Sequence, residues 1–70
     1  MTTIDAIEML KKVNPLMPVF PLLGSDPCAQ FAVLEWMIQA RNREVPIAKI
    51  QGALKVMETM DAWQPKKIPD

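Results

Sequence analysis

Few side chains in this sequence can take part in catalysis. The chain contains no histidine and no tyrosine, and it has a single cysteine, Cys28. Cys28 stands near the start of a predicted helix, where the helix dipole can lower the pKa of a thiol and favour the nucleophilic thiolate. Since the chain has no histidine to act as a base, we interpret Cys28 as a small hydrophobic residue that is buried or half-buried.

Asp5 and Glu8 are the other residues whose spacing could support chemistry, because they share a face of the first predicted helix. Acidic residues in a first turn more often stabilise the helix dipole than transfer protons. One cysteine without histidine excludes a zinc site built from these ligands, and no glycine-rich phosphate loop is present. We predict no enzymatic activity, no catalytic residues, no metal and no cofactor.

Apolar residues recur at helical spacing in segments of about 4–13, 26–43 and 46–63, and no segment has the alternation of a strand. Thr2 or Thr3 precedes the first helix as a candidate N-cap, and Asp26 or Ser25 precedes the second. Prolines stand at the first position of the second and third helices, which suits their fixed φ. The segment 43–45 is a short link that makes the last two helices neighbours. We predict an all-α fold in a single domain, 1–70.

Within this fold, we expect Leu34 and Leu54 in the core. Gly52 lies in the third helix, where it lowers helix stability but permits the close approach of another backbone. The polar tail, 65–70, is expected to be frayed.

The connector between the first two helices, residues 14–25, is apolar and rich in proline. Pro15, Pro18 and Pro21 fix φ near −65° and disfavour helix at the preceding residues, which predicts an extended path close to polyproline II. The apolar residues of the connector are Leu16, Met17, Val19, Phe20, Leu22 and Leu23. Apolar residues in this number are normally buried, so we expect them to pack either against the chain's own helices or against another chain.

The connector is the predicted binding surface for another protein, because an aromatic anchor on a proline-restricted backbone loses little entropy on binding. The residues assigned to this surface are Met17, Val19, Phe20, Leu22 and Leu23. The sequence predicts a small non-enzymatic interaction module, either an adaptor or an inhibitor of a larger protein.

Self-association is predicted from size and composition. The chain has 70 residues, of which half are hydrophobic. A domain this small needs stabilisation beyond its own hydrophobic core, and neither a disulfide bond nor a metal site can supply it here. We therefore predict a homodimer. The residues assigned to the dimer interface are Trp36, Met37, Met57, Met60 and Trp63, although methionines at helical spacing are also common core residues.

DNA binding is the alternative function. Residues 45–63 partly match a helix–turn–helix with its turn at Lys55, but the second helix would carry Glu58 and Asp61, which repel phosphate. Eight basic residues balance eight acidic ones, so no overall field attracts nucleic acid. A small dimeric transcriptional regulator would contact DNA through Arg41, Arg43, Lys49 and Lys55.

The location predicted from the sequence is cytoplasmic. The N-terminal segment carries Asp5 and Glu8 where a signal peptide would be basic. The longest uncharged run, 13–25, is too short to span a membrane and is interrupted by prolines. We therefore expect no membrane association.

Overall fold

The computed structural model describes residues 1–68 and contains three α-helices, α1 (Thr3–Leu10), α2 (Ala29–Asn42) and α3 (Ile47–Ala62). No strand occurs in this part of the chain. The predicted all-α fold with three helices is confirmed, and so is the contact between the second and third helices. The helix ends differ from the prediction for local reasons.

α1 begins with a capping box. Thr2 Oγ1 accepts a hydrogen bond from the Asp5 backbone N–H at 3.4 Å, and an Asp5 carboxylate oxygen accepts one from the Thr2 backbone N–H at 2.9 Å. The helix ends at Leu10, earlier than predicted, because the N–H groups of Lys12 and Val13 donate to carbonyls three residues back. This i→i−3 pattern tightens the last turn and ends the α-helix.

The connector does not begin as the extended segment that its prolines predict. Asn14 Oδ1 accepts a hydrogen bond from the Leu16 N–H at 2.9 Å, and the Asn14 carbonyl accepts one from the Met17 N–H at 3.0 Å. These bonds close a turn over residues 14–17. Residues 18–23 follow without regular secondary structure.

α2 begins at Ala29 rather than at Asp26. The Asp26 carboxylate accepts a hydrogen bond from the Cys28 N–H at 2.7 Å, and the Asp26 carbonyl accepts one from the Ala29 N–H at 3.1 Å. Asp26 therefore forms a turn before the helix, and Cys28 occupies the N-cap without a capping hydrogen bond from its side chain. Local bonding of this kind by aspartate competes with a helical first turn.

α2 ends in a Schellman motif. The Val45 N–H donates to the Ala40 carbonyl at 3.0 Å, and the Glu44 N–H donates to the Arg41 carbonyl at 3.2 Å. Glu44 adopts the left-handed conformation at φ 60°, a position where glycine is usual. Pro46 then precedes the first residue of α3, so the chain reverses direction within a few residues.

α2 and α3 form an antiparallel hairpin, in which Gln30 near the start of α2 bonds to Asp61 near the end of α3. Ala29 and Ala40 are the buried hydrophobic residues. Larger residues on the facing sides are half-buried: Val33, Met37, Ile50, Val56, Met57 and Met60. Buried alanines let two helix backbones approach closely, so the core is narrow.

Two expectations about the interior are wrong. Leu34 and Leu54 are not core residues, since they keep 42% and 38% of their surface exposed. They lie at the edge of the helix–helix contact. Gly52 marks no close approach either, because a Cβ atom added there would meet no atom within 4 Å.

The tail is docked rather than frayed as far as Lys67. The Lys67 backbone N–H donates to the Ser25 carbonyl at 2.8 Å, and the Lys66 ammonium donates to the Gly24 carbonyl at 3.0 Å. Lys66 also donates to the Met60 carbonyl. Segment 64–67 is therefore fixed to the loop before α2. The expectation for 69–70 lies outside the described residues.

α1 stands apart from the hairpin, with no Cα atom within 8 Å of those of α2 or α3 in the described chain. The radius of gyration is 12.9 Å, whereas about 11 Å is typical of a compact domain of this length. Accessible surface totals 6127 Å², compared with about 4,400 Å² for an ordinary monomer of this mass. The protomer leaves an unusually large surface uncovered.

Candidate interaction surfaces

The connector is the most exposed apolar segment. Leu16 and Phe20 keep 90% and 85% of their surface exposed, and Met17, Val19 and Leu23 are also exposed. Leu22 is partly covered. The chain's own helices therefore leave most of the connector exposed.

The residues predicted for self-association are divided between two environments. Met37, Met57 and Met60 are half-buried in the hairpin, where they fill the space beside the small alanines. Trp36 and Trp63 keep 48% and 57% of their surface exposed. The tryptophans are therefore largely accessible, whereas the methionines are partly covered within the chain.

A second apolar surface lies along one side of the hairpin, and the sequence analysis did not assign it. Its α2 row is Phe31, Leu34, Ile38 and Arg41. Its α3 row is Ile47, Gln51, Leu54, Glu58 and Asp61. Each row follows the helical repeat, which places its members on one side of the helix. We call this surface the hairpin groove. The spacing of the α2 row is the sequence feature that could have indicated this surface. It does not stand out, because the apolar sector of α2 covers more than half of the helix circumference.

An open cavity of about 260 Å³ lies in the hairpin groove at the end where α2 begins. Phe31, Leu34 and Met57 supply its apolar lining, and the carboxylates of Glu58 and Asp61 stand beside them. Neither carboxylate forms a salt bridge within residues 1–68. This end of the groove therefore combines an apolar floor with two negative charges.

Gln30 closes the same end of the hairpin groove. Its Nε2 donates a hydrogen bond to Asp61 Oδ1 at 2.9 Å. Its Oε1 is buried and has no hydrogen-bond partner in the described structure. A buried acceptor without a hydrogen-bond partner lowers the stability of the fold. The Gln30–Asp61 hydrogen bond therefore joins α2 to α3 while leaving one acceptor of Gln30 unsatisfied.

The basic residues proposed for DNA contact are all exposed, but they do not form one patch. Arg41 and Arg43 lie at the end of α2, and Lys49 lies in the first turn of α3 across the link. Lys55 is farther along α3. The helix–turn–helix considered for residues 45–63 is wrong, because α3 continues through Lys55 without a turn.

The candidate chemical groups lie apart from one another. The expected burial of Cys28 is wrong, because Cys28 is exposed at the N-cap of α2. Asp5 belongs to the capping box of α1. The hydrogen bond from the Thr2 backbone, followed by that from the Thr2 hydroxyl, lowers the pKa of Asp5. The described residues contain no cluster of acidic or cysteine side chains suited to a metal ion.

Comparison of the chain with protein-family models, curated proteins and solved structures found no match. None of the helices in residues 1–68 combines the length and the apolar character that crossing a membrane requires.

Proposed function

We propose that this protein is a small interaction module that binds another protein through its connector and acts as an adaptor or an inhibitor. The exposure of Phe20, 85% on a backbone restricted by flanking prolines, is the observation that carries the proposal. An aromatic side chain held in this way can enter a pocket on a partner with a small loss of conformational entropy. The same contact surface includes three further exposed residues, Met17, Val19 and Leu23. It also includes Leu22, which is partly covered.

Self-association is the second part of the proposal. The protomer exposes about 1,700 Å² more surface than a monomer of its mass normally does, and a standard interface covers about 800 Å² per partner. This excess is large enough for two interfaces. A homodimer, to which Trp36 and Trp63 contribute exposed aromatic surface, would therefore still leave the connector free for another protein.

Phe20→Asp and Phe31→Asp are a matched pair of variants to test the partner surface. Both residues are exposed phenylalanines, so the same substitution is made on the connector and on the hairpin groove. Each tagged variant is used to capture proteins from the lysate of the native host, and far-UV circular dichroism checks its helix content. A stoichiometric prey should be lost with Phe20→Asp and retained with Phe31→Asp.

Two results would contradict the connector as the binding surface. Loss of the prey with Phe31→Asp but not with Phe20→Asp would mean that the partner binds the hairpin groove and not the connector. Loss of helix content with Phe20→Asp would show that Phe20 stabilises the fold. The purified prey and protein should then be titrated against each other, so that the change in Kd is measured directly.

DNA binding is a second candidate, favoured by the exposed basic residues Arg41, Arg43 and Lys49 around the link between α2 and α3. Glu44 lies within the same link and weakens the positive potential there. Any DNA-binding protein must at least contact phosphates non-specifically at low salt. A gel shift with random duplex DNA at low salt tests this, and no retardation would reject the candidate.

A further inference from the structure

The first helix lacks the contacts that a helix of its length needs. α1 has eight residues, and isolated helices shorter than about 12 residues are marginal in water. Its apolar residues Ile4, Ile7 and Leu10 keep 74%, 50% and 44% of their surface exposed. Because no Cα atom of α1 lies within 8 Å of those of α2 or α3, the hairpin of the same chain gives this helix little support.

We propose that α1 of a second copy of this chain occupies the hairpin groove, and that the exchange is reciprocal. This inference rests on the self-association in the proposed function and adds to it a contact between α1 and the hairpin groove, which does not include Trp36 or Trp63. The apolar stripe of α1 would lie on Phe31, Leu34 and Leu54, which are exposed along the groove. Reciprocal docking makes a closed two-fold dimer in which each copy gives one helix and receives one.

The dimensions of the two surfaces agree. Eight residues of α-helix are about 12 Å long. The apolar part of the groove from Phe31 to Ile38 spans about 10 Å along α2. One short helix therefore covers the apolar floor without leaving much of it exposed at either end.

The charges on α1 and on the hairpin groove favour one orientation of the docked helix. Lys11 and Lys12 follow the end of α1, and the groove carries Glu58 and Asp61 at the end where α2 begins. Docking with the α1 lysines at these carboxylates gives opposite charges at that end. It also directs the acidic start of α1 toward Arg41 at the other end of the α2 row, so both ends are complementary.

The uncovered area is large enough for a contact with a second copy. The surface of 6127 Å² exceeds that of an ordinary monomer by more than one standard interface. Reciprocal exchange covers α1 and the groove in each copy at the same time. Connector residues such as Phe20 belong to neither surface and remain available to another protein.

Zero-length carbodiimide crosslinking tests the arrangement on the unaltered protein. Equal amounts of ¹⁵N-labelled and unlabelled chain are mixed, crosslinked and digested, and the peptides are identified by mass spectrometry. Crosslinks joining Lys11 or Lys12 to Glu58 or Asp61 should include pairs of one labelled and one unlabelled peptide, which a crosslink within a single chain cannot give. The Lys11–Glu8 salt bridge, 2.9 Å within α1, supplies an intrachain crosslink as the internal control.

Sedimentation equilibrium of the unaltered protein and two variants supplies the second measurement. Ile7→Asp should raise the dimer dissociation constant at least about tenfold, whereas Phe20→Asp should leave it unchanged. A dimer that lacks the predicted crosslinks would overturn the docking of α1 but leave self-association intact. Crosslinks confined to single chains would place α1 on its own hairpin and also overturn it. A monomer at all concentrations up to about 1 mM would reject the dimer itself, while partner capture through Phe20 would still be tested separately.

Discussion

The Lys66 ammonium donates a hydrogen bond to the Gly24 carbonyl at 3.0 Å and thereby joins the tail to the loop before α2. The same ammonium donates to the Met60 carbonyl in the last turn of α3. A cation at this position also interacts favourably with the negative end of the helix dipole. One side chain therefore connects three segments of a protomer whose apolar core is narrow.

Replacing Lys66 with methionine should destabilise the protein. The substitution keeps most of the aliphatic chain but leaves both carbonyls without the ammonium, and hydrogen bonds to charged groups contribute about 1.5–3 kcal/mol each. Because Lys66 is only half-buried, we expect a total loss near the lower figure, about 1.5 kcal/mol. Urea denaturation followed by circular dichroism measures it.

Lys55→Met is the control, since Lys55 is an exposed α3 residue to which the structure gives no side-chain hydrogen bond or salt bridge. It should change the free energy of unfolding by less than about 0.5 kcal/mol. Equal losses in the two variants would mean that the bonds made by Lys66 do not stabilise the tail.

Glu44 is the residue at which the backbone is strained. It holds φ 60°, a conformation that costs a residue with a Cβ atom about 1–2 kcal/mol. Glu44→Gly should therefore raise the free energy of unfolding by about 1 kcal/mol. Glu44→Ala keeps the Cβ atom and removes only the charge, so it should bring little gain. A gain of the same size with alanine would assign the effect to the charge rather than to the backbone.

The helix order, the helix type and the adjacency of the last two helices could be predicted from the sequence, because proline positions and apolar spacing act locally. The end of α2 shows the limit of this reasoning. No glycine marks the Schellman motif, and Glu44 adopts the left-handed conformation only because the hairpin requires the chain to turn there. The residues around Glu44 therefore give no sequence signal for its left-handed conformation.

The interaction surfaces were less predictable. The wide apolar sector of α2 does not distinguish the side that packs on α3 from the side that stays exposed. Ala29 and Ala40 decide this, because their small size allows the close approach of the two helices. Leu34 is consequently displaced to the hairpin groove. The docked tail was missed because Lys66 acts through backbone carbonyls distant in sequence.

α1 should lose helix content on acidification. The Thr2 backbone and hydroxyl hydrogen bonds lower the pKa of Asp5 from its ordinary value of 3.8, so the ionised carboxylate is the form that favours the folded capping box. A carboxyl whose pKa is lowered on folding contributes stability above its unfolded pKa. That contribution disappears as the pH falls through the folded pKa. Carbon chemical shifts of Ala6 and Ile7, followed by NMR from about pH 6 to about pH 2, report the change.

Asp5→Asn is the matched variant, because asparagine keeps the size of the side chain but cannot ionise. It should show less α1 helix at neutral pH and a smaller loss of helix in acid than the unaltered chain. Glu8 is a second carboxyl group in α1 and forms the exposed salt bridge with Lys11. An acid-induced loss that is equal in both proteins would therefore assign the pH dependence to that salt bridge and reject Asp5 as its source.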